Sequence, residues 1–378
     1  MNRYNWNINT LRKKREELLN ISTDKMNKRK SKIMESSINT YNNLLSDYSI
    51  IHKKNDIDEY DEDSEFENQN EEILYFIENE LPTVSKNNIR LIKESIPYMN
   101  FNGNDLIELS NLKMTNERMM YYVTKLFETI PSKDIKDKFL YVTDPKKELI
   151  NIQYVKNRDS CDSTGYCYCD YFDSITYINI LRENTFLDFV TIVHEIMHMI
   201  LEIDADHYKR NPENVIYTEM EGSFANFLAI DFIRNRFDKT EADLLEENEY
   251  QIMKSYAVDI AISSKIIENT DKKGNVKMGP IKDYFEDNNM VLNTEELTGY
   301  LPIDLFVDST YSLAYLMALD IFEIYKKDPV SGIAILERIG QKIYKESKKL
   351  KLANTDLTFY KDGYKNLKEK TKTISKYK

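Results

Sequence analysis

Five residues of this chain have the types and spacing to do chemistry: His194-Glu195-Ile196-Met197-His198, set within the apolar stretch TFLDFVTIVHEIMHMIL over 185–201. On an α-helix, residues four apart share a face and sit about one 5.4 Å turn from each other. Both imidazoles can then reach a single zinc ion at roughly 2.0–2.1 Å each. Glu195 lies about 100° around the same helix, where it can act as a base on a water at that ion. The bland alternative is a pair of histidines on an ordinary buried helix. A His-Glu pair inside so apolar a run is costly to bury without a partner, which favours the metal.

A catalytic zinc takes three protein ligands and keeps one position open, so a further donor must follow. Glu202 lies eight residues beyond His194, about 12 Å along the axis, and is too far to share the ion. Asp204 falls where the third ligand of the metzincins would fall, but those enzymes turn the chain back at a glycine, and Leu201 stands there. Asp206 and His207 could serve only through an unusual loop. Glu219 is better placed. Asn211-Pro212-Glu213 starts a new helix, with Asn as cap, Pro at the first position and an acid in the first turn. Glu219 falls about two turns in, on a face shared with Gly222, Ser223 and Asn226. Glycine inside a helix costs roughly 1 kcal/mol against alanine. Beside a ligand it lets this helix approach the first one closely. Asp204, Asp206, Ser223 and Asn226 are all candidates to orient the histidines from behind.

The elements that position these residues follow from periodicity. Thr185 with Asp188 three residues on predicts a capping box at the start of the HExxH helix. Upstream, Phe139–Thr143, Leu149–Val155, Tyr166–Tyr171 and Ile175–Ile180 are short, rich in β-branched and aromatic residues, and separated by turn residues. They predict a small sheet whose last strand feeds the HExxH helix. Residues 164–169 are a candidate edge strand, with Tyr166 and Tyr168 on one face and Cys167 and Cys169 on the other. An extended peptide can add to such an edge. A structural zinc site at Cys161, Cys167 and Cys169 is the weaker reading, because there is no CxxC pair and no fourth ligand. Elsewhere the pattern is helical: Leu11, Leu18 and Ile21, then Ile33, Ile38, Tyr41, Leu45 and Tyr48, then Ile73 to about Thr129, Leu244–Ile267, Ile281–Phe285 and Thr310–Tyr325. The expected fold is mainly α with a small β-sheet. Its expected parts are a helical N-terminal region (1–54), an acidic linker (55–72) and a zinc peptidase domain (73–378).

Composition bounds the partners. There are 52 Lys and Arg against 64 Asp and Glu, a net charge of −12, which argues against a nucleic-acid binder. Twelve lysines against four acids after position 341 read as a solvated helical end. No run of eighteen apolar residues exists, so no membrane span is expected. The first twenty residues lack the apolar core of a leader, and the cysteines number three. A cytoplasmic protein with reduced thiols is the expectation.

The motif with Glu219 in TEMEGSFANFLAIDF resembles the gluzincin peptidases of the thimet oligopeptidase and oligoendopeptidase F family. The strand-rich lead-in fits, and so does the later DSTYSLAYLMAL segment, where that family carries tyrosines that assist the transition state. The resemblance covers about residues 140–340. It implies a zincin-like (gluzincin) core, one Zn2+ held by His194, His198 and Glu219, Glu195 as the base, and Tyr311 or Tyr315 as an oxyanion donor. The implied substrates are short peptides. Three departures stand out: Met197 replaces the family's usual glycine, no histidine follows His207, and the chain is short for the family. Two rival readings are a regulatory gluzincin that cleaves one specific protein and a non-catalytic peptide-binding protein that retains the fold. A retained Glu195 argues against the second.

Overall fold

The HExxH helix is fed by the central strand of a small sheet, and the rest of the fold packs around that junction. The structure, a computed structural model, describes residues 7–21, 26, 28–52, 112–154, 165–170, 173, 175–202, 212–249, 252, 269, 277–287 and 302–345. The expected linker at 55–72, the helical pattern over 73–111 and Cys161 lie outside these residues.

Three strands, β1 (Ile150–Tyr154), β2 (Gly165–Asp170) and β3 (Ile175–Arg182), form a sheet in the order β1-β3-β2. β1 runs parallel to β3, with Ile150 opposite Ile178, and β2 runs antiparallel to it, with Gly165 opposite Ile180. β3 is central and buried along nearly its whole length. A strand covered on both faces reads as the near-continuous apolar run seen here. Its fully buried polar residue, Asn179, is matched by its register partner: Asn151 Nδ2 donates to Asn179 Oδ1 at 2.7 Å.

Two N-terminal helices, α1 (Ile8–Leu19) and α2 (Lys28–His52), confirm the helical reading of that region. Their buried Leu11, Leu18, Met34, Tyr41 and Leu44 cluster with Tyr177 of β3. Polar contacts fix the docking: Tyr41 Oη donates to Asp170 Oδ2 at 2.5 Å, and Thr40 Oγ1 donates to the Cys169 carbonyl at 2.7 Å. Next come α3 (Asn116–Thr129) and α4 (Lys133–Val142).

α4 corrects one expectation. Phe139–Thr143 has strand-forming composition but ends this helix. Ser132 caps it by accepting from the Ile135 N–H, and Ile135, Phe139 and Val142 fall at helical spacing into the core. Burial of that face overrides local strand preference. The other three segments are the strands expected.

The HExxH helix is α5 (Phe186–Glu202), and α6 (Pro212–Arg236) begins at the expected proline. A helix over 239–249 (α7), then α8 (Met278–Asp287), α9 (Pro302–Lys327) and α10 (Pro329–Lys345) follow. α6 packs between α5 and α9. Met197 and Ile200 of α5, Phe224 and Ile233 of α6 and Leu319 and Ile321 of α9 are all at most 2% exposed and belong to one core. No helix among the described residues is long and apolar enough to cross a membrane.

Candidate metal centre

α5 starts after a turn at Glu183-Asn184-Thr185, in which Asn184 adopts a left-handed φ of 62°. Asparagine tolerates this conformation better than most residues. The expected capping box forms differently. The Asp188 carboxylate reaches past Thr185 to accept from the N–H groups of Glu183 (2.9 Å) and Asn184 (2.8 Å). It also receives Arg182 Nε at 3.2 Å, and both side chains are under 5% exposed. Burial pushes the Asp188 carboxyl above its usual range, against the pull of the Glu183 N–H and the Arg182 guanidinium. Arg182 is held further by Asn116 Oδ1 (2.5 Å) and the Met114 carbonyl (2.8 Å). The junction between β3 and α5 is thus locked to α3, which fixes where the motif helix points.

From that base, His194 and His198 project to one place. Their Nε2 atoms lie 2.9 Å apart, with ring planes at 86°. Glu219 arrives from α6, and one donor atom from each of the three residues falls within 4.8 Å of the other two. Two imidazoles and a carboxylate are the donor chemistry of a hydrolytic metal site, and the cluster could hold a metal ion. Burial holds His194 below its usual pKa, partly offset by Asn226 and the Gly222 backbone, a shift toward the neutral form that a ligand needs.

Gly222 is where α6 crosses this imidazole. A Cβ there would stand 2.4 Å from His194 Cε1 and 2.5 Å from Nε2. The glycine is therefore required by the close approach, as its spacing from Glu219 predicts. Asn226, one turn further along α6, places Oδ1 3.0 Å from His194 Nδ1. Of the four candidates for orienting a histidine, Asn226 is the one whose contact is seen. Ser223 is buried on α6, and Asp204 and Asp206 lie outside the described residues, as does His207.

Glu195 is 8% exposed and faces the start of β2: a Cβ on Gly165 would lie 3.0 Å from its Oε1 and 2.6 Å from Thr191 Cγ2. Among the described residues β2 is an outer strand of the sheet, as expected, and Tyr166 and Tyr168 stack on one face with ring centroids 5.8 Å apart. Cys167 is half-buried and Cys169 buried. On α9, Tyr311 is half-buried, whereas Tyr315 is 7% exposed and meets Phe227 edge-on at 5.3 Å.

One residue of the site escapes sequence reasoning. Glu249, at the end of α7, accepts from Asn226 Nδ2 at 3.1 Å and is 9% exposed. Burial pushes its carboxyl up to about 7, against the Asn226 hydrogen bond. It sits in the acidic stretch EADLLEENEY, which reads as a solvated face, and nothing local marks it as buried.

No family model and no curated protein matches this sequence. Solved structures do. A candidate peptidase from Chlamydophila abortus superposes with a TM-score of 0.54 at 14% identity, over 80% of this chain and 56% of that one. PZ peptidase A with an inhibitor gives 0.50 at 12% identity, over 80% and 58%. A candidate oligoendopeptidase F from Bacillus anthracis gives 0.48 at 13% identity, over 90% and 58%. The chain shares the fold of PZ peptidase A and of the Chlamydophila abortus structure. At these identities the likeness is one of fold, and the chain spans little more than half the length of those three structures. Within this fold, the HExxH helix and the helix that carries Glu219 form one packed pair.

Proposed function

We propose that the protein is a zinc-dependent peptidase that hydrolyses short peptides. One observation carries the reading: donor atoms of His194, His198 and Glu219 converge beside Glu195, on a helix pair whose approach requires Gly222. A bound zinc ion supplies a Lewis acid that lowers the pKa of a water toward about 7 and polarises a carbonyl. The chain's own residues do the rest. Glu195 takes the proton from the attacking water and returns it to the leaving amine. Its burial beside Gly165 keeps that carboxylate at the end of β2. A peptide lying alongside β2 would present its scissile bond to Glu195. Tyr311 or Tyr315 supplies the oxyanion hydrogen bond, a role worth about 2.7–4 kcal/mol where such donors have been removed. Tyr311, the less buried, is the first to test by substitution with Phe.

The test is Glu195→Gln. The variant should bind zinc as the parent does and lose metal-dependent peptide hydrolysis. Hydrolysis at the parental rate would remove Glu195 from the mechanism.

A further inference from the structure

The contact behind His194 continues one residue further than orienting a ring requires. Asn226 places Oδ1 3.0 Å from His194 Nδ1, and its Nδ2 donates to Glu249 Oε2 at 3.1 Å. An amide has one accepting end and one donating end, and its neighbours decide which way it turns. Burial raises the Glu249 carboxyl to about 7, so above that pH it is ionised and offers acceptors only. Facing Glu249, Asn226 must present its NH2, and it then turns its oxygen to His194. An oxygen at Nδ1 calls for a hydrogen on Nδ1. The lone pair of the neutral imidazole is then on Nε2, the atom that meets His198 Nε2 in the cluster. A reversed amide would set an NH2 against Nδ1, draw the lone pair there and leave the hydrogen on Nε2. That tautomer cannot coordinate through Nε2.

We propose that Glu249 is a positioning residue for metal binding, which fixes the amide of Asn226 and through it the tautomer of His194. The inference rests on the reading of His194 as a metal ligand. The placement of Glu249 supports it. A carboxylate 9% exposed is costly to bury unless it is hydrogen-bonded, and this one is spent on a side-chain amide that touches the site. The parts come from three helices: α5 supplies His194, α6 Asn226 and α7 Glu249. Partners behind a metal-bound histidine fix its tautomer and orientation, and their loss typically lowers metal affinity about 10–100-fold.

The experiment, run at pH 8.5 so that Glu249 is ionised, measures zinc affinity by chelator competition for the parent and for H194A, E249M, E249Q and the paired variant N226D/E249Q. It also records the imidazole nitrogen shifts of His194 in the metal-free proteins. E249M keeps the bulk and removes the acceptor, so zinc should bind about 10–100-fold more weakly and His194 should show both tautomers. E249Q offers either end to Asn226 and should be weakened as well. N226D/E249Q moves the carboxylate to position 226 and the amide to position 249. Acceptor then faces His194 by necessity, and both the affinity and the single tautomer should return. Circular dichroism of each metal-free variant reports folding, and if E249M fails to fold, E249Q against the pair carries the comparison. Parental affinity in both E249M and E249Q, or no recovery in the pair, overturns the role of Glu249 while leaving the metal site standing. A parent that binds zinc no more tightly than H194A overturns the metal reading itself. Hydrogen on Nε2 of His194 in the metal-free parent overturns the tautomer argument, whatever the zinc result.

Discussion

Replacing Gly222 with alanine adds one methyl group at the point where α6 crosses the first histidine of the motif. The added carbon would lie 2.4 Å from His194 Cε1, 2.5 Å from Nε2 and 2.8 Å from Nδ1. Carbon atoms in ordinary contact sit at about 3.5–4.0 Å, so ring and helix must separate by about 1 Å. The ring cannot simply turn away, because Asn226 holds Nδ1 at 3.0 Å. Metal–ligand distances tolerate only about 0.2 Å, and misplacing a reacting group by about 1 Å can cost on the order of 100-fold. Zinc affinity of Gly222→Ala should therefore fall about 100-fold or more. The metal-free fold should change much less: overpacking costs typically 1–3 kcal/mol, while alanine gains roughly 1 kcal/mol of helix propensity. Chelator competition measures the first quantity and urea unfolding the second. Parental zinc affinity in a folded Gly222→Ala would refute the close approach on which the site is built.

Other predictions follow from the same contacts. Glu249 is pushed up to about 7 in the folded protein, from 4.5 for the free group. Its contribution to stability is present below about pH 4.5 and lost as pH rises through 7, because ionisation favours the unfolded chain. The metal-free parent should lose on the order of 3 kcal/mol relative to Glu249→Gln between pH 4.5 and 7.5, and parallel urea curves would contradict this. Asp188→Ala strands a buried Arg182 and should destabilise by about 3–5 kcal/mol; less than 1 kcal/mol in urea unfolding would mean the pair does not lock α5. Gly165→Ala forces a carbon to within 3.0 Å of Glu195 Oε1, so peptide hydrolysis should drop while zinc content holds. An unchanged rate would separate β2 from the base.

Much of this was legible because the signals are local. His194 and His198 share a helix face by spacing alone, Asn211-Pro212 announces α6, and a glycine three residues after Glu219 marks the close crossing that Gly222 makes. The strand at Gly165–Asp170 showed in its alternation. Other features depend on what comes near in space. Phe139–Thr143 has the residues of a strand, and only the burial of Ile135, Phe139 and Val142 on one face makes it helical. Asp188 looked like half of a capping box, but Arg182 draws its carboxylate back over the turn. Asn226 was one of four candidates until its distance to His194 was seen. Glu249 lies 23 residues from its partner in an acidic stretch, so its burial is a tertiary fact with no local signature.

The central claim is tested most directly with the full chain, a mixture of short peptides and mass spectrometry of the products. The protein is assayed as prepared, after chelation, and after zinc is restored. The account predicts cleavage that stops with the chelator, returns with zinc, and is absent from Glu195→Gln under all three conditions. Cleavage that survives chelation, or a zinc-loaded protein that leaves every peptide intact, would contradict it.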